Sequence, residues 1–162
     1  MESEQVEFER TVLADLRAGI PEEARGHFRF VVNAPIPFLP YAFEAFHKAV
    51  AAILPSVRLT MPVTVVFGNI PFQVPAQGAH LVLTPTGDSI NMQIENLVFL
   101  DVIKMSQYPA NIQVAAVLEE LVHAMMNIPD EVLVKHVVAH LFPGVHFNGS
   151  VYMNVHRPAL ED

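Results

Sequence analysis

An α+β domain, with a small mixed or antiparallel sheet packed against helices, is predicted for this chain by two features. β-branched apolar runs bounded by proline and glycine occupy its middle, and two nearly all-apolar helical segments lie toward its C-terminal end. With 162 residues, 52% hydrophobic and 16% charged, it can bury one proper core and is short enough to be a single domain. Strands ahead of a pair of helices suggest a sheet covered by helices. The expected single domain covers residues 1–162, with a peripheral N-terminal helical segment at 1–26, a core at 27–142 and a tail at 143–162.

Ser3 to Ala18 reads as an amphipathic helix: Val6, Val12, Leu13 and Leu16 approximate one stripe, Phe8 lies off it, and Gly19 and Pro21 stop it. HFRFVVN, from His27 to Asn33, has the alternation and β-rich composition of a strand, and the prolines of APIPFLP form a stiff connection. Tyr41 to Leu54 carries Ala, Phe and Ile at helical spacing and ends before Pro55, with His47 a surface or packing histidine beside Lys48. Met61 to Phe67 is a strand apolar enough to be buried on both faces. NIPFQVPAQGA reads as a proline-punctuated loop. Ala79 to Leu83 and Ser89 to Glu95 then read as an antiparallel hairpin turning at Gly87-Asp88. Leu97 to Met105 fits either a helix or a strand. After Tyr108-Pro109, a helix runs from Asn111, placed to cap it, to Asn127; Ile128-Pro129 ends it. Asp130 caps a second helix that Pro143-Gly144 terminates, and the tail adds one short strand.

Several functions are disfavoured by composition. A net charge of -8, with nine scattered cationic residues, offers no basic stripe for a phosphate backbone, so no nucleic acid partner is expected. With no cysteine, disulfides, thiolate nucleophiles and Cys-ligated metals are excluded, and any metal must be held by nitrogen and oxygen. No glycine-rich phosphate cradle and no Gly-x-Ser-x-Gly elbow is present. Every apolar run is interrupted before the roughly 18 residues that span a bilayer, so no membrane partner is expected. The acidic, polar start MESEQVEFER does not resemble a secretory signal, which predicts a cytoplasmic protein. A homo-oligomer is compatible with the sequence.

The chemistry concentrates in the two C-terminal helices. Glu119 and His123, four apart, face the same way on the first helix with Glu120 beside them, among Leu118, Leu121, Val122, Ala124, Met125 and Met126. A carboxylate buried without a partner protonates, pairs with a cation or coordinates a metal. His136 and His140 repeat the one-turn spacing on the second helix, and the short link through Ile128, Pro129 and Asp130 lets the two helices meet at an angle. Glu119, His123, His136 and His140 are therefore candidate metal ligands. The competing reading is an ordinary buried polar network, or a partly solvated face, formed by the same groups with Lys135.

At Glu119-Glu120-Leu121-Val122-His123 the chain resembles the zincin metallopeptidases, whose HExxH helix supplies two zinc-binding histidines and, between them, the glutamate that activates water. Glutamate stands here in the place of the first histidine. The resemblance implies a zincin-like core from about His27 to Leu141, His123 as a metal ligand, Glu120 as the catalytic base and Glu119 as a substitute oxygen ligand. The third ligand of the family comes from downstream, where His136 or His140 can fill it, with Glu131 a weaker candidate. Met126 and Pro129 depart from the extended HExxHxxGxxH pattern. The diiron-carboxylate bundles are a poorer match, because they use two Glu-x-x-His motifs in the site and the two C-terminal helices have one, from Glu120 to His123.

The resemblance implies a divalent-metal-dependent hydrolase, peptidase-like, acting on a peptide or small molecule. Zinc is the expected ion, and the carboxylate at Glu119 shifts the preference somewhat toward iron or manganese. The alternative is a catalytically inactive zincin-like binding or scaffold protein that has lost the first ligand histidine. His146, Tyr152, His156 and Arg157 are further candidates for stabilising a transition state.

Overall fold

The computed structural model describes residues 2–155. Three strands form a parallel set: β1 (Phe28–Val32), β2 (Val63–Gly68) and β6 (Leu97–Asp101), with β5 (Asn91–Ile94) antiparallel on the edge, in the order β1-β2-β6-β5. The architecture is α+β, a small mixed sheet packed against helices. Parallel neighbours cannot be joined by a tight turn, and helix α3 (Leu39–Ile53) makes the return from β1 to β2.

Alternation along the central strands builds two cores of unequal size. Val63, Val65 and Phe67 of β2, with Val98 and Leu100 of β6, meet α3 and α5 (Ala110–Met126) in the main core, where Phe46 packs edge-on against Phe28, Phe30 and Phe67. Val66 and Phe99 point the other way and meet Phe72 in a smaller cluster. Val63, Val65, Val66 and Phe67 are at most 3% exposed, as expected of a strand covered on both faces.

Helix α1 (Glu2–Ala18) precedes the short α2 (Glu22–Arg25). The side chains of Val6 and Phe8 lie outside the described ones; Leu16 is fully buried, and Val12 packs on the core. His47 is a packing histidine: its Nε2–H donates to the carbonyl of Leu16 at 2.7 Å, and a Cβ on Gly19 would collide with its ring.

Several local expectations are corrected. The proline-punctuated segment contains a strand, β3 (Phe72–Ala76), which pairs antiparallel with β4 (Ala79–Leu83). Pro75 lies in a two-stranded ribbon, in which each strand has an edge outside the ladder. The expected pairing of Ala79–Leu83 with Ser89–Glu95 does not form. β5 instead turns through Glu95-Asn96 onto β6, with Glu95 at φ 54° and the Asn96 amide donating to the Pro62 carbonyl at 3.0 Å. The segment that fitted either class is divided: β6 ends at Asp101, whose side chain caps α4 (Val102–Met105) through the Lys104 N–H. Asn111 is not the cap of α5, which starts one residue earlier after Pro109. Its side-chain amide donates to Asn154 at 2.8 Å. The tail holds two strands, β7 (Val145–Phe147) and β8 (Tyr152–Asn154), paired as a hairpin. Among the described residues no helix is long and apolar enough to cross a membrane.

Candidate metal centre

Helix α5 is apolar nearly all round because it has neighbours on several sides. Val114, Ala115, Val117, Leu118, Leu121 and Val122 are buried against α3 and the sheet, while Glu119 and His123 share the stripe turned toward the C-terminal elements. Asn127, in the left-handed region at φ 53°, ends the helix by donating its N–H to the His123 carbonyl. The chain then turns back, so that the carbonyl of Ile128 lies 2.6 Å from His123 Nδ1. A carbonyl only accepts, so Nδ1 carries a proton, and Nε2 is the ring nitrogen turned toward Glu131.

Asp130 accepts from the Leu133 N–H at 2.7 Å and starts α6 (Glu131–Leu141), as expected. This start places Glu131 in the first turn, its Oε2 3.5 Å from His123 Nε2. Glu119, His123 and Glu131 thus converge, each offering a ligand atom within 4.8 Å of the others. The His123 side chain is 11% exposed and that of Glu131 is 67% exposed, so the cluster has a buried floor and an open side.

The electrostatics of this pocket disfavour negative charge without a compensating cation. Burial raises the Glu119 carboxyl above its usual range, against the Tyr152 hydrogen bond and the nearby Lys135, which lower it; Glu131 raises it further. Burial, followed by the charges of Glu119 and Glu131, pushes Glu120 up to about 8. Tyr152 donates its hydroxyl to Glu119 Oε2 at 2.7 Å. Burial first, then the adjacent carboxylate, raises the phenol, so it remains a donor at ordinary pH.

The donor set fits a divalent cation. Two carboxylates and one imidazole meet at one point, and the imidazole is oriented by a hydrogen bond at its other nitrogen, as metal-binding histidines usually are. Such a set is harder than a histidine-rich one and suits manganese or iron as well as zinc.

Of the sequence-derived candidates, Glu119 and His123 are brought together and Glu120 stands beside them. The third member of the cluster is Glu131, and neither His136 nor His140 joins it. Along α6, Val134 and Val138 are buried, and Val132, His136 and His140 form an exposed stripe. His136 sets its ring against Phe147, with centroids 5.0 Å apart. His146 is exposed on β7. Tyr152 is in the cluster, whereas His156 and Arg157 lie outside the described residues. Glu131 and Tyr152 carry weak signals in sequence: an acid in a helix's first turn is ordinary, and a tyrosine 33 residues from Glu119 gives no sign of contact.

Comparison with family models, curated proteins and solved structures finds no match to this chain.

Proposed function

We propose that the chain is a divalent-metal-dependent hydrolase, peptidase-like, with a zincin-like core and a modified HExxH helix. The observation that carries this reading is the convergence of ligand atoms of Glu119, His123 and Glu131 within 4.8 Å of one another, with Glu120 beside them. Glu119, His123 and Glu131 would hold the metal, with zinc the first candidate and manganese or iron suited to the two-carboxylate set. Such an ion, when bound, lowers the pKa of water and polarises a carbonyl group.

The roles of the protein groups follow from their surroundings. His123 is held in one tautomer by Ile128, so Nε2 is available without reorganisation. Glu120 would be the general base in its ionised form: with its carboxyl pushed up to about 8, the carboxylate, once formed, is a stronger base than an ordinary one. Tyr152 and Lys135 offset part of the negative charge on Glu119. The open side at Glu131 leaves room for a substrate to approach.

A second reading rests on Glu119 itself. A carboxylate in place of the first histidine weakens the Lewis acidity that water would experience, which suits a binding or scaffold protein descended from an enzyme. One experiment separates the two. Protein purified without an affinity tag is analysed for bound metal, then assayed on a mixed peptide library after reconstitution with Zn, Mn or Fe, alongside Glu120→Gln. The enzyme reading expects cleavage by the reconstituted protein that Glu120→Gln loses while retaining fold and metal. Metal binding without cleavage in either protein supports the scaffold, and a chain that takes up none of the three ions overturns the metal reading.

A further inference from the structure

Tyr152 approaches the cluster from outside the two helices. It lies on β8, where its hydroxyl reaches Glu119 Oε2 at 2.7 Å, while its ring packs on Phe147 at a centroid distance of 5.9 Å. Phe147 is 6% exposed and also bears the His136 ring, so the phenol stands on a buried aromatic base. A second tether joins the same hairpin to the same helix, from Asn111 to Asn154, without involving the cluster.

Glu119 has more freedom than a histidine would have at the first place of an HExxH motif. A glutamate has three rotatable side-chain bonds and a carboxylate that binds a cation through one oxygen or two, whereas an imidazole presents a single lone pair in a fixed plane. A carboxylate ligand therefore needs an outside partner to set its orientation. Resting on the metal reading above, we propose that Tyr152 is a positioning residue. By donating to Oε2 it fixes the Glu119 carboxylate, leaving its remaining lone pairs for a cation shared with His123 and Glu131. The C-terminal hairpin is then part of the metal centre, and the exchange of histidine for Glu119 works because a phenol replaces the lost rigidity.

The test is calorimetric titration of tag-free protein with Mn2+ and, separately, Zn2+, for the wild type, Tyr152→Phe and Asn111→Ala. Tyr152→Phe keeps the ring on Phe147 and removes only the hydroxyl. It is expected to weaken ion binding by roughly 10–100-fold, the range for loss of an orienting partner. Asn111→Ala loosens the hairpin at its other tether and is expected to bind like the wild type. Thermal unfolding of each metal-free variant confirms that it is folded. Tyr152→Phe binding as tightly as the wild type, or Asn111→Ala losing as much as Tyr152→Phe, overturns the positioning role while leaving the metal reading intact. A wild type that binds neither ion overturns both.

Discussion

Helices α5 and α6 each carry, four residues apart, side chains of kinds that can bind a metal, yet one pair reaches the cluster and the other does not. Glu119 and His123 lie on a stripe of α5 that faces the start of α6 and the C-terminal hairpin, where each meets a partner. His136 and His140 lie on an exposed stripe of α6, while Glu131 is in the cluster and the charge of Lys135 acts on Glu119. One-turn spacing says that two side chains share a face. It does not say what that face meets, which depends on how the helix is rotated about its axis when its apolar residues, here Val134 and Val138, are buried.

The sharpest way to break the contrast is to remove one histidine from each stripe. His123→Ala should reduce ion affinity by more than the roughly 10–100-fold that orienting partners contribute, whereas His140→Ala should leave it unchanged in the same calorimetric titration. Equal losses would place the metal elsewhere.

The next effect is on stability. Between the ordinary carboxyl pKa of 4.5 and about 8, folded Glu120 keeps a proton that the unfolded chain has released. The unfolded state binds fewer protons there, so stability must fall as pH rises through that window and level off above it. With chelator present, the melting temperature should therefore decline from pH 5 toward pH 8. Glu120→Gln should flatten much of the decline and gain about 2–3 kcal/mol at the upper end, after allowance for solvent screening. Glu119, whose carboxyl is also raised, contributes with the same sign and accounts for residual slope.

A smaller effect concerns the start of α6. Asp130→Ala removes the cap on the Leu133 N–H and should cost about 1 kcal/mol in chemical denaturation, together with some ion affinity as the turn bearing Glu131 frays. The smallest is expected for Val132→Ala, 56% exposed on the outer stripe, which should change stability by less than about 0.5 kcal/mol.

Much of the fold was legible because its signals are local. The β-branched run through Val63 to Phe67, the helix ending before Pro55 and the Asp130 cap each depend on near neighbours in sequence. The misplaced hairpin shows where local reasoning stops. Gly87 does adopt a left-handed turn, at φ 79°, but the strand after it pairs with β6 through a turn at Glu95, a residue with no turn signature. Partner choice was decided by the need to bury Val98 and Leu100 on one face and Phe99 on the other, a requirement that involves the whole sheet.

By itself the sequence determined that ionisable groups are set in apolar helices, and that Glu119 and His123 share a face, because helical periodicity is an intrinsic property of the backbone. Only the tertiary structure decided that Glu131 joins them, that His136, set against Phe147, and the exposed His140 do not, and that Tyr152 hydrogen-bonds Glu119. Those outcomes depend on helix rotation and on a hairpin docked from 33 residues away, and both are set by the packing of residues that take no part in the chemistry.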